Sequence, residues 1–261
     1  MSCPHCAAGA PIHTVGAAGI SDPVRRPVPD LHEVEDRSGV GLAECRPVRI
    51  WAIVQARLGS TRFPAKIAAR LGDRSVLQHV LARARRIPGV AGVRTAFPED
   101  APGRDEADVL GRYADLARLL ACDAVMRLTA DCPLLDPAAS ALVVERFLEG
   151  DVDYCSNVWP RRTWPDGLDT EIFTTRRLLE ADRRATDAAD REHVTPWIRR
   201  HATKIASIEL QVDWSWVRLT VDTPEDLAWL QTALAAPRTL GAERLPPQTF
   251  EAWDQGYTSL P

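Results

Sequence analysis

Three cations stand close together in one stretch of this sequence, Arg57, Arg62 and Lys66. Gly59 and Ser60 lie in the same stretch. Guanidinium and ammonium groups neutralise phosphate oxygens, glycine lets backbone N–H groups approach a ligand closely, and a hydroxyl adds a donor. The stretch therefore fits a loop that binds a triphosphate. A solvated turn with ordinary surface charges is the alternative.

Two carboxylates follow apolar runs later in the chain. Asp131 comes shortly after residues 123–128, and Asp222 comes directly after residues 217–221. A carboxylate just past a buried strand lies at the sheet edge where such a loop holds phosphates, and it can bind a Mg²⁺ ion that bridges phosphate oxygens. Asp131 could instead cap a turn, as aspartate often does near proline. The residues after Asp222 are typical of a helix start that does not require it.

Alternating strands and helices must position these groups. Residues 50–54 form an apolar run short enough for a buried strand, and residues 75–86 repeat apolar side chains with helical spacing. This alternation predicts an α/β fold with an open sheet. The predicted strands are residues 50–54, 90–96, 123–128, 153–157 and 217–221. The first three predicted helices are residues 75–86, 108–120 and 137–150. A fourth predicted helix contains Arg191 and runs to about His201, and a fifth begins at Pro224.

Five blocks of the sequence resemble, in order, the cytidylyltransferases that activate acidic sugars, and among them the spore-coat polysaccharide (SpsF-type) branch. ARLGSTRFPAK is similar to the family loop ARxxSTRxPxK, and RLTADCPLLDP is similar to RLTGDCPLIDP. The other blocks are TWPDGLDTE, REHVT and VDTPEDL. The resemblance spans roughly Val48 to Leu234, and five blocks in the same order are hard to obtain by chance.

The resemblance implies a single α/β domain with a mostly parallel, Rossmann-like sheet of the nucleotide-diphospho-sugar transferase type. It also implies nucleotidyl transfer, in which an acceptor oxygen attacks the α-phosphorus of CTP and pyrophosphate leaves. Arg57, Lys66, Asp131 and Asp222 would be catalytic, and the two aspartates would bind Mg²⁺. The nucleotide-binding residues would be Ala56, Arg57, Gly59, Ser60, Arg62 and Lys66.

The segment from Trp159 to Phe173 combines tryptophans, arginines and carboxylates. This composition suits a polar ligand with hydroxyl groups, and it also suits a lid over a core. By resemblance the segment belongs to the acceptor pocket. His193 could carry a proton near neutral pH, although a lone helical histidine is more often structural. The expected acceptor is an acidic sugar or a phosphonate, and the expected acceptor-binding residues are Asn157, Asp169, Glu171, Arg191 and His193.

Two other functions fit parts of the same pattern. A glycosyltransferase on a similar sheet would use a sugar nucleotide, but such enzymes typically carry a DxD metal motif, and the Asp131-Cys132-Pro133 sequence is not one. A non-catalytic relative would bind a nucleotide or a partner enzyme. This second alternative is motivated by the apparent loss of one helix and one strand between Ala96 and Asp108, which would shorten the sheet beside the nucleotide pocket.

Composition and charge limit the classes of protein to which this sequence can belong. The net charge of −4 over 261 residues argues against a protein that coats nucleic acid. No apolar run approaches the length that spans a membrane. The six cysteines lack the spacing of a disulfide framework, and no secretory signal is visible, so we expect free thiols in the cytoplasm.

The two ends of the sequence differ from its centre. Residues 1–47 are expected to form a poorly ordered extension, residues 48–236 the nucleotidyltransferase domain, and residues 237–261 a tail that packs on the domain or on a second subunit of a homodimer. The extension contains Cys3 and Cys6 in a CxxC pair. With further ligands from the extension, such as a histidine or a third cysteine, this pair could form a zinc site.

Overall fold

The computed structural model describes residues 46–56, 62–100 and 103–235. The Cys3–Cys6 pair of the N-terminal extension therefore lies outside the described residues, and so does the C-terminal tail. Six strands form one sheet, and two further short strands form a separate hairpin. The strands are β1 (Ile50–Gln55), β2 (Arg70–Leu71), β3 (Arg74–Ser75), β4 (Val90–Ala96), β5 (Ala124–Thr129), β6 (Tyr154–Ser156), β7 (Glu171–Thr174) and β8 (Ile205–Ser207).

Side chains at the helix starts satisfy backbone N–H groups of the first turn. The Ser75 hydroxyl accepts a hydrogen bond from the Gln78 N–H, and the Gln78 side chain accepts one from the Ser75 N–H. Asp108 and Asp136 cap the next two helices. The helices are α1 (Val76–Ala84), α2 (Val109–Leu120), α3 (Pro137–Leu148), α4 (Thr175–Arg184), α5 (Ala188–His193), α6 (Thr195–His201) and α7 (Pro224–Ala235), with 3₁₀ turns at Lys66–Ala68 and Pro98–Asp100.

The six-stranded sheet has the order β4-β1-β5-β7-β6-β8. β1 lies between β4 and β5 and pairs in parallel with both. Among the described strands of this sheet, only β7 runs antiparallel to its neighbours, β5 and β6. The prediction of a mostly parallel α/β sheet is therefore confirmed. A parallel strand covered on both faces must be apolar throughout, which is the reason for the continuous apolar run of β1.

Helices cover both faces of the sheet. Ala52 and Val54 of β1 pack towards α1 and α3, whereas Ile53 packs towards α2, α4 and α6. All three side chains are fully buried. Burying a valine or isoleucine side chain stabilises the fold by about 1.5–3 kcal/mol. The two packed layers fix the carboxyl ends of β1 and β5, from which two functional loops leave.

A third apolar cluster lies beyond the sheet and supports those loops. It brings together Leu134 after β5, Trp164 and Leu168 of the loop before β7, Leu219, and Leu230 of α7. Leu168 and Leu219 are fully buried. The cluster therefore holds three separate parts of the chain against one another without a shared strand.

The predicted strand at residues 217–221 is wrong. These residues make one isolated parallel bridge, between Arg218 and Asp166, and do not join the sheet. Val217, Leu219 and Val221 are buried in the third cluster. An extended segment that packs alternate side chains on a core has the same apolar alternation as a strand, so the pattern alone does not separate the two.

The predicted helix that runs through Arg191 to His201 is also wrong in one respect, because it is broken. α5 ends at His193, and α6 begins at Thr195 with a proline in its first turn. Val194 between them has φ 69°, a left-handed conformation that interrupts the helical backbone.

No helix of the described residues is long and apolar enough to cross a bilayer. The described cysteines, Cys122, Cys132 and Cys155, are free and buried.

Candidate active site

Three residues that the sequence places far apart meet at the carboxyl end of the sheet. The Lys66 Nζ lies 2.6 Å from Asp131 Oδ2 and 2.6 Å from Asp222 Oδ1. The lysine side chain is 13% exposed, and the two carboxylates are 25% and 17% exposed. We call Lys66, Asp131 and Asp222 the site cluster. All three are residues that the sequence predicts to be catalytic.

Backbone hydrogen bonds bring the two aspartates together. Asp131 follows β5, as predicted, and its carbonyl oxygen accepts a hydrogen bond from the Val221 N–H at 2.9 Å. Asp222 is the next residue along the chain. The Asp226 carboxylate accepts hydrogen bonds from the N–H groups of Asp222 and Thr223, and it thereby joins Asp222 to the first turn of α7. Asp222 thus follows an extended segment and precedes a capped helix, which fixes its backbone on both sides.

Neighbouring charges keep Asp222 and Lys66 ionised. Burial opposes the charge of Asp222, but hydrogen bonds from Lys66 and Arg218 outweigh burial and lower the pKa of Asp222 to about 2. Burial also opposes the charge of Lys66, and its two carboxylate partners raise the lysine pKa above its ordinary value. At neutral pH Asp222 is therefore a carboxylate and Lys66 an ammonium group.

Arg218 forms an outer layer to the site that the sequence analysis missed. Its guanidinium lies 2.5 Å from Asp222 Oδ2, 3.0 Å from Asp166 and 3.4 Å from Asp226. Lys66 binds the other oxygen of Asp222. The available signal was an arginine four residues before Asp222 in a segment whose other residues are apolar or small. Arg218 orients Asp222 and joins it to the loop before β7.

Cations of the predicted nucleotide loop are described only in part. Arg62 lies 3.3 Å from Asp222, and its side chain is 65% exposed. Ala56 is buried at the end of β1. Arg57, Gly59 and Ser60 lie outside the described residues, so their predicted contacts with the nucleotide stay predictions.

The predicted acceptor loop lies beside the site cluster. Asp169 forms a two-point ion pair with Arg162, with both N–O distances 2.7 Å. Asp166 lies between this pair and Arg218, and burial together with Asp169 raises the pKa of Asp166. Gly167 has φ 111°, and a Cβ there would lie 2.8 Å from the Leu219 backbone. Only glycine fits this close approach, which holds the loop against the segment that carries Asp222.

Two predicted acceptor residues have structural contacts instead. The Asn157 side chain is fully buried, donates to the Leu168 carbonyl and accepts from the Thr170 N–H. Glu171 of β7 is 2% exposed and pairs with Arg127 of β5 and Arg199 of α6. In this arrangement both side chains contact other groups of the protein, and their predicted contacts with the acceptor stay predictions. The reason is their position, since each is directed into the packed layer behind the loop.

The last two predicted acceptor residues lie on α5, in the helical layer beside α2. Arg191 pairs with Asp108 at 2.6 Å and with Asp182 at 3.1 Å. His193 is exposed near the end of the helix. The structure thus brings Asp169 to the flank of the site cluster and does not bring Arg191 there, because the ion pairs of Arg191 join α2, α4 and α5 to one another.

The site cluster has the donor set for a magnesium ion shared with a nucleotide. Mg²⁺ prefers oxygen ligands and is usually bound through one or two carboxylates together with phosphates and waters. Asp131 and Asp222 supply two carboxylates, and a cationic group already lies between them. The described residues contain no group of three or more histidine, cysteine or acidic side chains placed to hold a metal. The two carboxylates therefore fit a magnesium ion whose remaining ligands come from a bound substrate and from water.

Comparison with known proteins gives one family. A family model described as Cytidylyltransferase matches residues 51–94 and 104–232. The interruption falls at residues 95–103, close to where the sequence lacks the expected helix and strand. In the structure β4, which ends at Ala96, is the edge strand of the sheet.

Similar proteins agree with this match. The spore coat polysaccharide biosynthesis protein SpsF of Bacillus subtilis is 25% identical over 67% of this chain and 81% of its own length. A 3-deoxy-manno-octulosonate cytidylyltransferase of Anaeromyxobacter sp. is 34% identical over 43% of this chain and 52% of its own length. The structure of a cytidylyltransferase from Leptospira borgpetersenii is 31% identical, with a TM-score of 0.66, and the alignment covers 72% of this chain and 87% of that one.

Proposed function

Because this chain belongs to the cytidylyltransferase family, we propose that it transfers CMP from CTP to a small acidic acceptor and releases pyrophosphate. The observation that supports this reaction is the site cluster, in which Lys66 lies 2.6 Å from both Asp131 and Asp222. One lysine and two carboxylates at the carboxyl end of a parallel sheet are suited to a triphosphate and a divalent cation.

Transfer of a nucleotidyl group depends mostly on positioning and on charge neutralisation. In the proposed reaction an acceptor oxygen attacks the α-phosphorus, and the bond to pyrophosphate breaks. Lys66 and Arg62, together with the predicted Arg57, neutralise the negative charge of the leaving pyrophosphate. Asp131 and Asp222 would hold Mg²⁺, and the ion would supply further positive charge at the reacting phosphate. Arg218 keeps Asp222 in the orientation that this requires.

The acceptor that we propose is a sugar acid, with a phosphonate as the closest chemical alternative. The relatives named above are a protein of spore coat polysaccharide biosynthesis and an enzyme named for 3-deoxy-manno-octulosonate. The loop before β7 carries Arg161, 67% exposed, and Arg162, paired with Asp169. A cation can bind the acid group, and a fixed carboxylate such as Asp169 can accept hydrogen bonds from sugar hydroxyls.

The reaction can be tested by product analysis. The protein is incubated with Mg²⁺, one nucleoside triphosphate and a panel of sugar acids and phosphonates, and pyrophosphate and the nucleotide adduct are measured by mass spectrometry. We expect one adduct that carries CMP, equimolar pyrophosphate, and neither product with the Asp222→Asn variant. Transfer from a sugar nucleotide without pyrophosphate would contradict the proposal and support a glycosyltransferase.

A further inference from the structure

One ammonium group occupies the space between the two carboxylates of the site cluster. Lys66 Nζ contacts one oxygen of each, Oδ2 of Asp131 and Oδ1 of Asp222, at equal distances of 2.6 Å. A magnesium ion bound by the same oxygens would lie about 2.0–2.1 Å from each of them. The ion and the lysine cannot both hold this position, because they would occupy the same space and their like charges would repel each other.

We propose that Lys66 holds the metal position in the free enzyme and yields it only when a triphosphate binds, so that the divalent cation enters with the nucleotide and not before it. This inference rests on the proposed function, since it assumes that Asp131 and Asp222 bind the cation. The phosphates supply the negative charge that draws Lys66 away from the carboxylates. The same movement brings Lys66 to the phosphates that it neutralises.

The contacts of Asp222 permit such an exchange. Arg218 binds Oδ2 of Asp222 at 2.5 Å, while Lys66 binds Oδ1 at 2.6 Å and the exposed Arg62 lies 3.3 Å from the same Oδ1. One oxygen can therefore change partner while the other keeps the carboxylate in place. A lysine suits the exchanging position because its charge is a single point on a flexible stem, and an arginine suits the fixed one because its fork is planar and rigid.

Asp131 has a comparable arrangement. Lys66 contacts its Oδ2, and among the residues that the structure describes the other carboxylate oxygen has a long contact of 3.7 Å with the Cys132 thiol. The sequence offers an internal reference for the lysine, because Lys66 and Lys204 are its only two lysines. Lys204 pairs with Asp151 at a surface position. It is a lysine–aspartate pair outside the site.

The first test measures Mn²⁺ binding by electron paramagnetic resonance, without nucleotide, to the full chain and to Lys66→Met. We expect Lys66→Met to bind Mn²⁺ about tenfold more tightly than the unchanged protein, since two competing ion pairs are gone. CTP binding, measured by calorimetry, should weaken by about the same factor. Lys204→Met should match the unchanged protein in both measurements.

The outcomes separate this inference from the proposed function. If Lys66→Met binds Mn²⁺ no more tightly, while Asp222→Asn abolishes Mn²⁺ binding in the presence of CTP, Lys66 does not hold the metal position and the metal site stands. If the unchanged protein does not bind Mn²⁺ even with CTP, both proposals are wrong.

The second test needs no substitution. Protein labelled with ¹³C at the ε-carbon of lysine should give two correlation signals, one for Lys66 and one for Lys204. We expect Mg²⁺ alone, at the concentration used for activity, to leave both signals unmoved, and Mg²⁺ with CTP to shift the Lys66 signal only. An equal shift of the Lys66 signal with Mg²⁺ alone would overturn the proposed order of binding.

Discussion

Two groups of ion pairs in this molecule have similar N–O distances but opposite ratios of cations to carboxylates. In the site cluster, one lysine serves two carboxylates, each 2.6 Å away. On the face of the sheet that carries α2 and α6, one carboxylate, Glu171, serves two arginines, Arg127 and Arg199, at 2.8 and 2.5 Å. We call these three residues the sheet cluster. The first group has a surplus of negative charge, and the second has a surplus of positive charge.

Burial and position separate the two clusters further. Glu171 is 2% exposed, whereas Asp131 and Asp222 are 25% and 17% exposed. The sheet cluster joins β5, β7 and α6, and the site cluster lies on loops at the end of the sheet. Short ion pairs therefore do not identify a functional site by themselves. The site is distinguished from structural pairing by a partly exposed surplus of carboxylates, both of which contact the same lysine.

The largest expected effect is on turnover in the Asp222→Asn variant. Losing one carboxylate of a metal site removes several kcal/mol of transition-state stabilisation, so we expect turnover to fall on the order of 10³-fold. The midpoint of thermal unfolding should move by only a few degrees, because the substitution also relieves repulsion between Asp222 and Asp166. Initial rates and unfolding curves of the same preparation measure both. Turnover within tenfold of the unchanged protein would contradict the assignment.

The Glu171→Gln variant should show the reverse. Neutralising the carboxylate that pairs with both Arg127 and Arg199 leaves two arginine charges in a buried network, which costs about 3–5 kcal/mol. For a domain of this size that corresponds to a fall of roughly 10 °C in the unfolding midpoint. Turnover per folded molecule, measured well below that midpoint, should fall far less than in Asp222→Asn. A stable but inactive Glu171→Gln would place Glu171 in the reaction, as the resemblance to the family implies.

Arg218→Gln tests whether the outer layer of the site matters. This arginine holds one oxygen of Asp222, and loss of a group that orients a metal ligand typically costs about 10- to 100-fold in activity or metal affinity. Arg184→Gln is the matched control for the loss of an exposed guanidinium, since Arg184 at the end of α4 pairs with Glu180 at 3.1 Å and does not contact Asp222. Equal activity of Arg218→Gln and the unchanged protein would show that Asp222 needs no second partner.

Acid unfolding compares two aspartates with the same depressed pKa. Burial opposes the charge of Asp153, but Arg177 and Thr203 lower its pKa from 3.8 to about 2, as neighbours lower that of Asp222. The unfolded chain thus takes up a proton first as pH falls. The stabilisation is complete above about pH 5 and is lost between about pH 4 and pH 2.

Asp153→Asn should therefore lower the free energy of unfolding at neutral pH by about 2 kcal/mol, and this difference should disappear near pH 2. Denaturant titrations at several pH values measure it. Turnover at neutral pH should stay unchanged, in contrast to Asp222→Asn. A difference that persists undiminished at pH 2 would show that the substitution acts through packing and not through charge.

The sequence predicts the members of the site cluster better than their supports. Lys66 belongs to a cationic loop, and Asp131 is a carboxylate that follows a buried strand. Both are local sequence patterns that can be recognised without knowledge of distant contacts. The support of Asp222 was not predictable, because residues 217–221 alternate like a strand but pack as an isolated segment. Their partners lie far away in sequence, in the loop before β7.

The ion pairs of Glu171 were likewise not predictable from the sequence. Its motif is similar to one in the family, but local spacing does not reveal that Arg127 lies directly opposite it across the sheet. The cross-strand register decides that pairing, and the register depends on how β5 and β7 pack. Arg218 was missed for a related reason, since a lone arginine in an apolar segment shows its role only when the acidic partners from two other segments are in place.

Unfolding in the presence of nucleotides tests the site without knowledge of the acceptor. A ligand at a hundred times its Kd stabilises the folded state by about 2.7 kcal/mol, which corresponds to roughly 5–10 °C in the unfolding midpoint. We predict this shift for CTP with Mg²⁺, a much smaller one for CTP without Mg²⁺, and none for CTP with Mg²⁺ in the Asp222→Asn variant. An equal shift in the unchanged protein and in Asp222→Asn would show that the nucleotide binds elsewhere, and no shift with CTP would contradict the cytidylyl-transfer site itself.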